Sequence, residues 1–313
     1  MEVMDLKQIR CFVAAYEEGS FSKAALRENC TQPGLSIYIQ CLETTLAHRL
    51  FDRRARGVTP TIAGRHFYAC CVEILKSVGA ARQRMLDMAG SVATQINIGI
   101  SPTLSKGVLP LMLPQYMAAH PYVNVRFAEA YSGTLAEWVV SGEVEVAIVT
   151  RPAAHLGLET SHFVRDRLVL VTRPEYKIGT KRRTLRRSTS ELASLHLILP
   201  SARHSLRQVI DAVVRLDETS PGRIIEIDGM LSTLELVRKS DWATVVGSLA
   251  VADDVRHRRL VAHHIYAPEL WLDFYLIRNK SSLLSVACQE FLHRLKEAVS
   301  RAVGTASASG DIG

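Results

Sequence analysis

The chain has 313 residues, of which 48% are hydrophobic and 22% are charged. This is the composition of an ordinary globular protein, and it excludes disordered, collagen-like and fibrous classes. Because single hydrophobic cores stop growing near about 250–300 residues, we expect at least two folded units. The net charge of +7 allows an anionic partner without requiring one.

Two features of the sequence bear on where the protein works. No apolar run is as long as the ~18 residues that indicate a transmembrane helix. The first residues, MEVMDLKQIRCF, are charged where a secretory signal has a basic patch followed by an apolar stretch. We therefore expect a soluble, cytoplasmic protein with no membrane partner.

The six cysteines do not have the spacing of a metal site. They form no C-x-x-C pair, and Cys70 and Cys71 are adjacent, which suits neither a tetrahedral metal site nor a structural disulfide. We interpret them as reduced and mostly packed thiols rather than redox groups. The sequence predicts neither a metal nor a cofactor.

The first ninety residues are helical in pattern, and strand-like segments begin near Gln95. Apolar residues from Leu6 to Tyr16 recur three or four positions apart, which predicts an amphipathic helix that ends at Gly19. A short second helix follows, with Ser22 as its expected N-cap. The change of pattern near Gln95 predicts a domain boundary.

A third helix is predicted from Thr31, its expected N-cap, with Pro33 in the first turn, where a missing N–H costs nothing. Apolar residues then recur every three or four positions from Leu35 to Leu50. The opposite face carries Gln32, Pro33, Ser36, Ile37 and Gln40. Two short helices with a tight turn between them are typical of a helix-turn-helix, whose second helix fits the DNA major groove, although generic helix pairs look similar.

A cluster of arginines follows the third helix. It comprises Arg49, Arg53, Arg54 and Arg56. Gly57 and Pro60 then indicate a turn or wing rather than a helix. The alternative is a solvated basic loop, but the position directly after a helix-turn-helix favours phosphate contacts by Arg53, Arg54 and Arg56. Because residues 1–60 as a whole are only slightly basic, affinity must come from local placement and from two copies.

A long helix is predicted from Thr61, its expected N-cap, to about residue 90. Its apolar residues follow the 4, 3, 4, 3, 4, 3 spacing of a heptad seam, at Phe67, Cys71, Ile74, Val78, Ala81, Met85 and Met88. Packing against its own domain is one interpretation. A lone helix between two domains has little else to pack on, however, so we favour a dimer built on this seam.

The segment FVAAYEEGSFSKAALRENCTQPGLSIYIQCLETTLAHRLFDRRARGVTPTIAG resembles the N-terminal domain of the LysR-type transcriptional regulators. The resemblance lies in the elements F-V-A, G-S-F-S-x-A-A, Q-P-x-L-S, L-E and L-F-x-R, and the rest of the chain fits the family in length and order. It implies a regulator that binds double-stranded DNA and a small-molecule effector, forms dimers or tetramers, and has RNA polymerase as a further partner. Gly34, Ile37, Tyr38 and Ile62 depart from the family pattern, which affects base preference, since Ile37 can meet a thymine methyl group.

Beyond Gln95 the predicted strands and helices alternate, which indicates a parallel sheet covered by helices on both faces. The strands are predicted at 95–100, 123–127, 144–149, 168–172, 196–199, 224–227, 243–246 and 272–277. The helices are predicted near 102–120, 135–140, 203–216, 231–238 and 283–298. These elements form two α/β lobes. The resemblance implies that the last strand and helix return to the first lobe, leaving a cleft as in periplasmic binding proteins.

The expected fold class is α/β with an all-α N-terminal part. A winged helix-turn-helix domain is expected at 1–60, a linker helix at 61–90, and a two-lobed effector domain like that of periplasmic binding proteins at 91–302. Lobe 1 is expected at about 91–162 and 268–302, lobe 2 at about 163–267, and a flexible tail at 303–313.

Hydroxyl residues follow the predicted strands of lobe 1, at the carboxyl ends where open α/β sheets bind ligands. Ser101 and Thr103 follow the first strand, and Ser132 and Thr150 follow the next two. Each alone is an ordinary helix cap. Together they converge on one spot, and the resemblance implies that the effector binds there.

Residues of lobe 2 are expected to complete this site from across the cleft. Ser201, Arg203 and His204 lie between a predicted strand and a predicted helix. The family often has a hydroxyl residue where this chain has Gly229, so the floor of the cleft differs. Hydroxyl groups, a helix terminus and an arginine suit a small organic or aromatic acid, which is our hypothesis for the effector.

Two other functions are less favoured. The sequence has no G-x-S-x-G elbow, phosphate-binding loop, dinucleotide fingerprint or H-E-x-x-H, so an enzyme has little support. A solute-binding protein would share the two lobes but would need export and would have no use for residues 1–60. We therefore expect a ligand-responsive transcription regulator. The alternative is a cytoplasmic small-molecule-binding protein without sequence-specific DNA binding.

Overall fold

The structure, a computed structural model, describes residues 4–54, 57–88, 94–151, 155–176, 186–214 and 222–309. The N-terminal domain contains α1 (Leu6–Glu18), α2 (Phe21–Arg27), α3 (Gln32–Leu46) and the strands β1 (Phe51–Arg54) and β2 (Gly57–Pro60). The two strands pair antiparallel as a hairpin. A helix-turn-helix followed by a wing is therefore confirmed.

Local hydrogen bonds set the ends of the first three helices. Gly19 adopts a left-handed conformation with φ 59° and ends α1 as expected. Thr31 caps α3 as expected, since its Oγ1 accepts the N–H of Gly34. The expected cap of α2 was wrong, because Ser20 and not Ser22 accepts a backbone N–H, that of Lys23.

The third helix is shorter than its apolar pattern predicted. It ends at Leu46, where Ala47 takes the left-handed conformation with φ 55°. Leu50 lies beyond the helix but is only 1% exposed, because it packs into the core of the N-terminal domain. Leu50 is therefore apolar because it is buried in a loop, and not because the helix continues to it.

The long helix α4 (Ile62–Met88) begins at Thr61, whose Oγ1 accepts the N–H of Gly64 at 3.0 Å. Its first turns pack on the N-terminal domain, where Phe67 packs against Phe12 with ring centroids 4.8 Å apart. A Cβ on Gly64 would lie 2.2 Å from the carbonyl oxygen of Leu50, so this close approach requires glycine. None of the described helices is long and apolar enough to cross a membrane.

The larger domain has two lobes. Lobe 1 contains β3 (Thr94–Ile100), α5 (Pro102–Gly107), α6 (Leu109–Ala119), β4 (Val123–Glu129), α7 (Ser132–Ser141), β5 (Val146–Val149), β12 (Trp271–Asn279) and α12 (Val286–Ser309). Lobe 2 contains β7 (Arg186–Ser188), α8 (Thr189–Leu192), β8 (Leu197–Leu199), α9 (Ser205–Asp211), β9 (Ile224–Glu226), α10 (Met230–Lys239), β10 (Ala243–Gly247), α11 (Ser248–Arg256) and β11 (Val261–Tyr266). One long strand, β6 (Leu158–Thr172), belongs to both lobes.

The sheet is mixed and not parallel as predicted. β3 pairs parallel with β4 and β5, and β8 pairs parallel with β9 and β10. The crossing strand β6 is antiparallel to β12 over its first part and to β10 and β11 over its second. The reason is topological: β6 carries the chain into lobe 2 and β12 carries it back, so the two run in opposite directions.

Several elements near the crossing were not predicted from the sequence. The first half of β6 is largely exposed and was not predicted, and neither were α11 and β11. At the other end, α12 continues to Ser309 through residues assigned to the tail, because Ala302 and Val303 still pack against the core. Residues 310–313 of the expected tail lie outside the described residues.

The N-terminal domain contacts lobe 1 just before β6. Tyr68 on α4 donates to Glu17 Oε1 at 2.7 Å and to the carbonyl oxygen of Leu156 at 3.5 Å. A Cβ on Gly157 would lie 2.3 Å from the Glu17 carboxyl group, so any other residue there would displace the Glu17 side chain. His155 Nε2 lies 3.6 Å from Glu18 Oε1. The contact joins the N-terminal domain to the segment that follows β5.

Candidate DNA-binding surface and effector cleft

The five predicted readout residues share the outer side of α3. Gln32, Pro33, Ile37 and Gln40 are exposed and Ser36 is half-buried. On the opposite side of the helix, Leu35, Ile39 and Leu42 are at most 1% exposed and anchor it to the core. Burial of one face therefore holds the other toward solvent at a fixed angle.

One departure from the family pattern, Gly34, lies at the start of α3. Gly34 donates its N–H to Thr31 Oγ1 at 3.2 Å. A Cβ at Gly34 would lie 3.1 Å from the same oxygen atom, which is a tight contact. Ile37, another departure, is 59% exposed and presents an apolar side chain in the middle of the surface. An exposed isoleucine on a recognition helix suits apolar contact with a thymine methyl group.

The wing is held against the turn between α1 and α2. Val58 donates its N–H to the carbonyl oxygen of Gly19 at 3.1 Å. Gly57 has φ 125°, and a Cβ there would lie 2.6 Å from that same oxygen atom, so glycine is required. Arg53 and Arg54 occupy the last two positions of β1, next to the tip of the hairpin. Arg56 lies outside the described residues, and Arg49 is exposed just before β1.

The predicted dimer seam divides into two parts. Phe67, Cys71 and Ile74 pack on the N-terminal core, and Cys71 is 0% exposed, so its side chain offers no surface to a partner. Val78 and Met85 are 42% and 65% exposed, and Ala81 is also exposed. Met88 is the last residue of α4. Of the seam side chains that the structure describes, those of Val78, Ala81 and Met85 are exposed.

A cavity of about 50 Å3 lies between the two lobes. Five of the seven predicted effector residues line it, namely Ser101, Thr103, Ser132, Thr150 and His204. Ser201 and Arg203 do not line it. The Arg203 side chain is 85% exposed and pairs with Asp228 at 3.3 Å, so it turns outward and not into the cleft. The arginine on which the acid hypothesis rested is thus absent from the cavity wall.

Direct hydrogen bonds between the lobes close the cleft. Ser132 Oγ lies 3.1 Å from Thr150 Oγ1, which in turn bonds to Ser205 Oγ of lobe 2. Tyr131 donates its hydroxyl to the carbonyl oxygen of Asp228 on the opposite lobe. Three of the lining hydroxyl groups therefore satisfy one another, and the cavity between them has room for only a few water molecules.

His204 stands in the cleft wall with unused hydrogen-bonding capacity. Its ring packs edge-on against Tyr131, with centroids 4.0 Å apart at 79°. Neither ring nitrogen has a hydrogen-bond partner among the described residues, and the same holds for the buried Oγ of Ser101. Burial lowers the pKa of His204, which favours the neutral imidazole. Burial raises the pKa of Tyr131, so its hydroxyl stays protonated.

Asp228 is the one acidic group in the cavity wall among the described residues. Its carboxylate accepts the N–H of Ser201 at 2.9 Å. This hydrogen bond, aided by Arg203, lowers the pKa of Asp228, which therefore stays ionised. Tyr131, Ser205 and Asp228 were missed from the sequence. Tyr131 and Ser205 adjoin predicted site residues, whereas no pattern marked Asp228.

Comparisons with known proteins match this architecture. A family model described as "Bacterial regulatory helix-turn-helix protein, lysR family" matches residues 6–65. A second, described as "LysR substrate binding domain", matches residues 89–300. The chain belongs to the LysR family. It is thus a DNA-binding transcriptional regulator with an effector-binding domain, and the family resemblance seen in the sequence is confirmed.

Similar LysR-family proteins span nearly the whole chain. An uncharacterized transcriptional regulator of Escherichia coli, YdcI, is 24% identical over 94% of this chain and 95% of its own. The regulator BbuR of Bordetella bronchiseptica is 29% identical over 89% of this chain and 84% of its own.

Solved LysR-family structures share the fold. A hydrogen-peroxide-bound OxyR mutant of Corynebacterium glutamicum superposes with a TM-score of 0.59 at 23% identity, covering 99% of both chains. Full-length CbnR in complex with its target DNA superposes with a TM-score of 0.51 at 21% identity, covering 96% of this chain and 100% of that one. The two-domain LysR architecture is thereby established for this protein.

Proposed function

We propose that two copies of this chain bind an imperfect palindrome in double-stranded DNA and that a small molecule in the interlobe cleft alters this binding. The outer side of α3 carries the proposal, since five residues suited to groove contacts lie there on a helix anchored from behind. Gln32, Pro33, Ser36, Ile37 and Gln40 would read bases. Arg53, Arg54 and Arg56 would contact phosphates. Because its target is chromosomal DNA, we propose that the protein acts in the cytoplasm.

The open half of α4 supports a dimer. Val78, Ala81 and Met85 are exposed at heptad spacing beyond the part of the helix that packs on its own domain. In the proposed dimer these residues, with Met88, face the partner helix, while Phe67 and Ile74 flank the seam. A tetramer built from two kinds of dimer contact, and contact with RNA polymerase, extend the proposal by family resemblance.

The test starts with mapping where the protein sits on its own chromosome. A few sharp peaks, with tight binding of the purified protein to those sites, are expected. Replacing Arg53 and Arg54 together with alanine should weaken binding to every sequence. It should also flatten the salt dependence, by about 0.9 in the log–log slope for each phosphate that is no longer neutralised. The matched control is Arg126→Ala, an exposed arginine on β4.

Other outcomes would contradict parts of this proposal. Ser36→Ala should change sequence preference more than overall affinity, because Ser36 lies on the readout side of α3. If the arginine variants bind DNA with an unchanged salt slope, the wing does not contact phosphates. If the wild-type protein shows no chromosomal peaks and no DNA binding at low salt, the chain is a small-molecule-binding protein without sequence-specific DNA binding.

A further inference from the structure

We infer that the effector of this cleft is an uncharged molecule with an apolar body and hydrogen-bonding groups, such as an amide or an alcohol, and not a carboxylic acid. The inference rests on the proposed function, because it takes the interlobe cleft as the effector site. It corrects the acid hypothesis, which depended on an arginine that the structure turns outward.

The side chains around the cavity offer an anion no cation. Among the described residues, no lysine or arginine lines the wall. Arg203 and Arg151 are both exposed and both already bonded, to Asp228 and to Gln208. The acidic residue of the wall, Asp228, is thus already paired. A carboxylate entering here would lose its hydration and gain no side-chain cation in return.

Helix N-termini supply partial positive charge, but they do not require an anion. The N-termini of α5, α7, α9 and α10 adjoin the cleft at Ser101, Ser132, His204 and Met230, and none has a side-chain cap. Their free N–H groups donate to any oxygen acceptor, so they bind the carbonyl oxygen of an amide as well as a carboxylate oxygen. An amide gains these hydrogen bonds without bringing an unpaired full charge into the cleft.

The unused polar atoms match a neutral ligand. Ser101 is 6% exposed, and its Oγ has no partner among the described residues, although it lines the cavity. A neutral imidazole such as His204 supplies one donor and one acceptor, and a hydroxyl supplies both. Buried groups of this kind are stabilised by a ligand that both donates and accepts. Amides and alcohols do so, whereas a carboxylate only accepts.

Apolar side chains make up much of the remaining wall. Leu206, Ile227, Met230, Val245 and Leu272 line the cavity together with two prolines. The closed cavity of about 50 Å3 is far smaller than the several hundred Å3 of a typical ligand pocket. An organic effector must therefore part the lobes and replace the hydrogen bonds from Tyr131 and Thr150. A molecule with an apolar body and two or more polar groups does this without placing a charge in the cleft.

The test uses matched pairs of probes on the full chain: benzamide with benzoate, phenylacetamide with phenylacetate, and isobutyramide with isobutyrate. Binding is measured by calorimetry and by the thermal midpoint. We expect at least one amide to bind tenfold or more tightly than its acid. Asp228→Asn keeps an acceptor for the Ser201 N–H and should narrow that gap by improving the acid. Asp241→Asn, which removes an exposed carboxylate paired with Arg173, is the matched control.

The outcomes distinguish failure of the inferred ligand class from failure of the proposed effector cleft. Acids that bind more tightly than their amides, or no binding by any amide, would overturn the inferred ligand class. Amide binding that Ser101→Ala with His204→Phe leaves unchanged would place the site elsewhere. That result would contradict the proposed cleft instead. DNA binding of the same preparations is measured in parallel, because it reports on the N-terminal domain independently of both.

Discussion

Replacing Asp166 with asparagine should make the protein more stable at neutral pH. Asp166 lies on β6 at the crossing between the lobes and is 0% exposed. Its carboxyl group accepts the Ser248 hydroxyl at 2.6 Å and the N–H of Leu249 at 3.3 Å, at the start of α11. Burial raises the pKa of Asp166 from 3.8 to about 6, although these hydrogen bonds lower it in part. The buried group therefore prefers its proton.

The sign and size of the effect follow from proton linkage. A folded pKa above the unfolded value means that the native state binds the proton more tightly, so stability falls as pH rises from about 4 to 6. A shift of about 2 units, at about 1.4 kcal/mol per unit, makes the penalty about 3 kcal/mol above pH 7 and about 1 kcal/mol at pH 4.5. Asparagine carries no charge and can keep both contacts, through its oxygen to Leu249 and its amide to Ser248.

Urea unfolding at pH 4.5 and at pH 7.5 tests this. Trp138, Trp242 and Trp271 all lie in the larger domain, so tryptophan fluorescence follows its unfolding. We expect Asp166→Asn to be more stable than the wild type at pH 7.5. The difference in free energy of unfolding between variant and wild type should be about 2 kcal/mol larger at pH 7.5 than at pH 4.5. Asp241→Asn serves as an exposed control. A gap that does not grow with pH, or a variant that is less stable at pH 7.5, would refute the reasoning.

Two further predictions concern the N-terminal domain. Gly157→Ala would place a methyl group 2.3 Å from the Glu17 carboxyl group, so that side chain must move from its present position against Tyr68 and Arg27. Loss of these contacts should make the linker helix more open to limited trypsin digestion, whereas Gly133→Ala, with open space around it, should not. Equal digestion of both variants would show that the Glu17 contacts do not protect the linker helix. Ser20→Ala should lower the stability of the N-terminal domain by about 1 kcal/mol and Ser22→Ala by much less, since Ser20 is the N-cap of α2. Thermal unfolding followed by circular dichroism checks this, and a larger loss for Ser22→Ala would contradict it.

The N-terminal domain could be predicted well because its signals are local. Gly19, Thr31 and Thr61 each act through a backbone conformation or hydrogen bond within a few residues, so their types mark helix ends directly. Ser22 was predicted as the cap of α2 in place of Ser20. Both are serines two positions apart, and the sequence does not show at which of them the helix begins. The heptad spacing lies on one long helix, as predicted. The spacing could not distinguish Cys71, which is buried in its own domain, from Met85, which is exposed.

In the larger domain, apolar periodicity by itself determined where most strands and helices lie, and the order of elements determined the two lobes. Strand direction was not encoded, because the same alternation serves a parallel or an antiparallel partner, and only the crossing of β6 and β12 decides between them. The effector residues show the same limit. Spacing placed Ser101 and His204 at strand ends, but whether a side chain such as Arg203 turns into the cleft depends on its partner, Asp228, which lies 25 residues away in the chain. Charge in a cleft is a property of three-dimensional pairing, and so the ligand class that we infer rests on the tertiary structure and could not be read from the sequence.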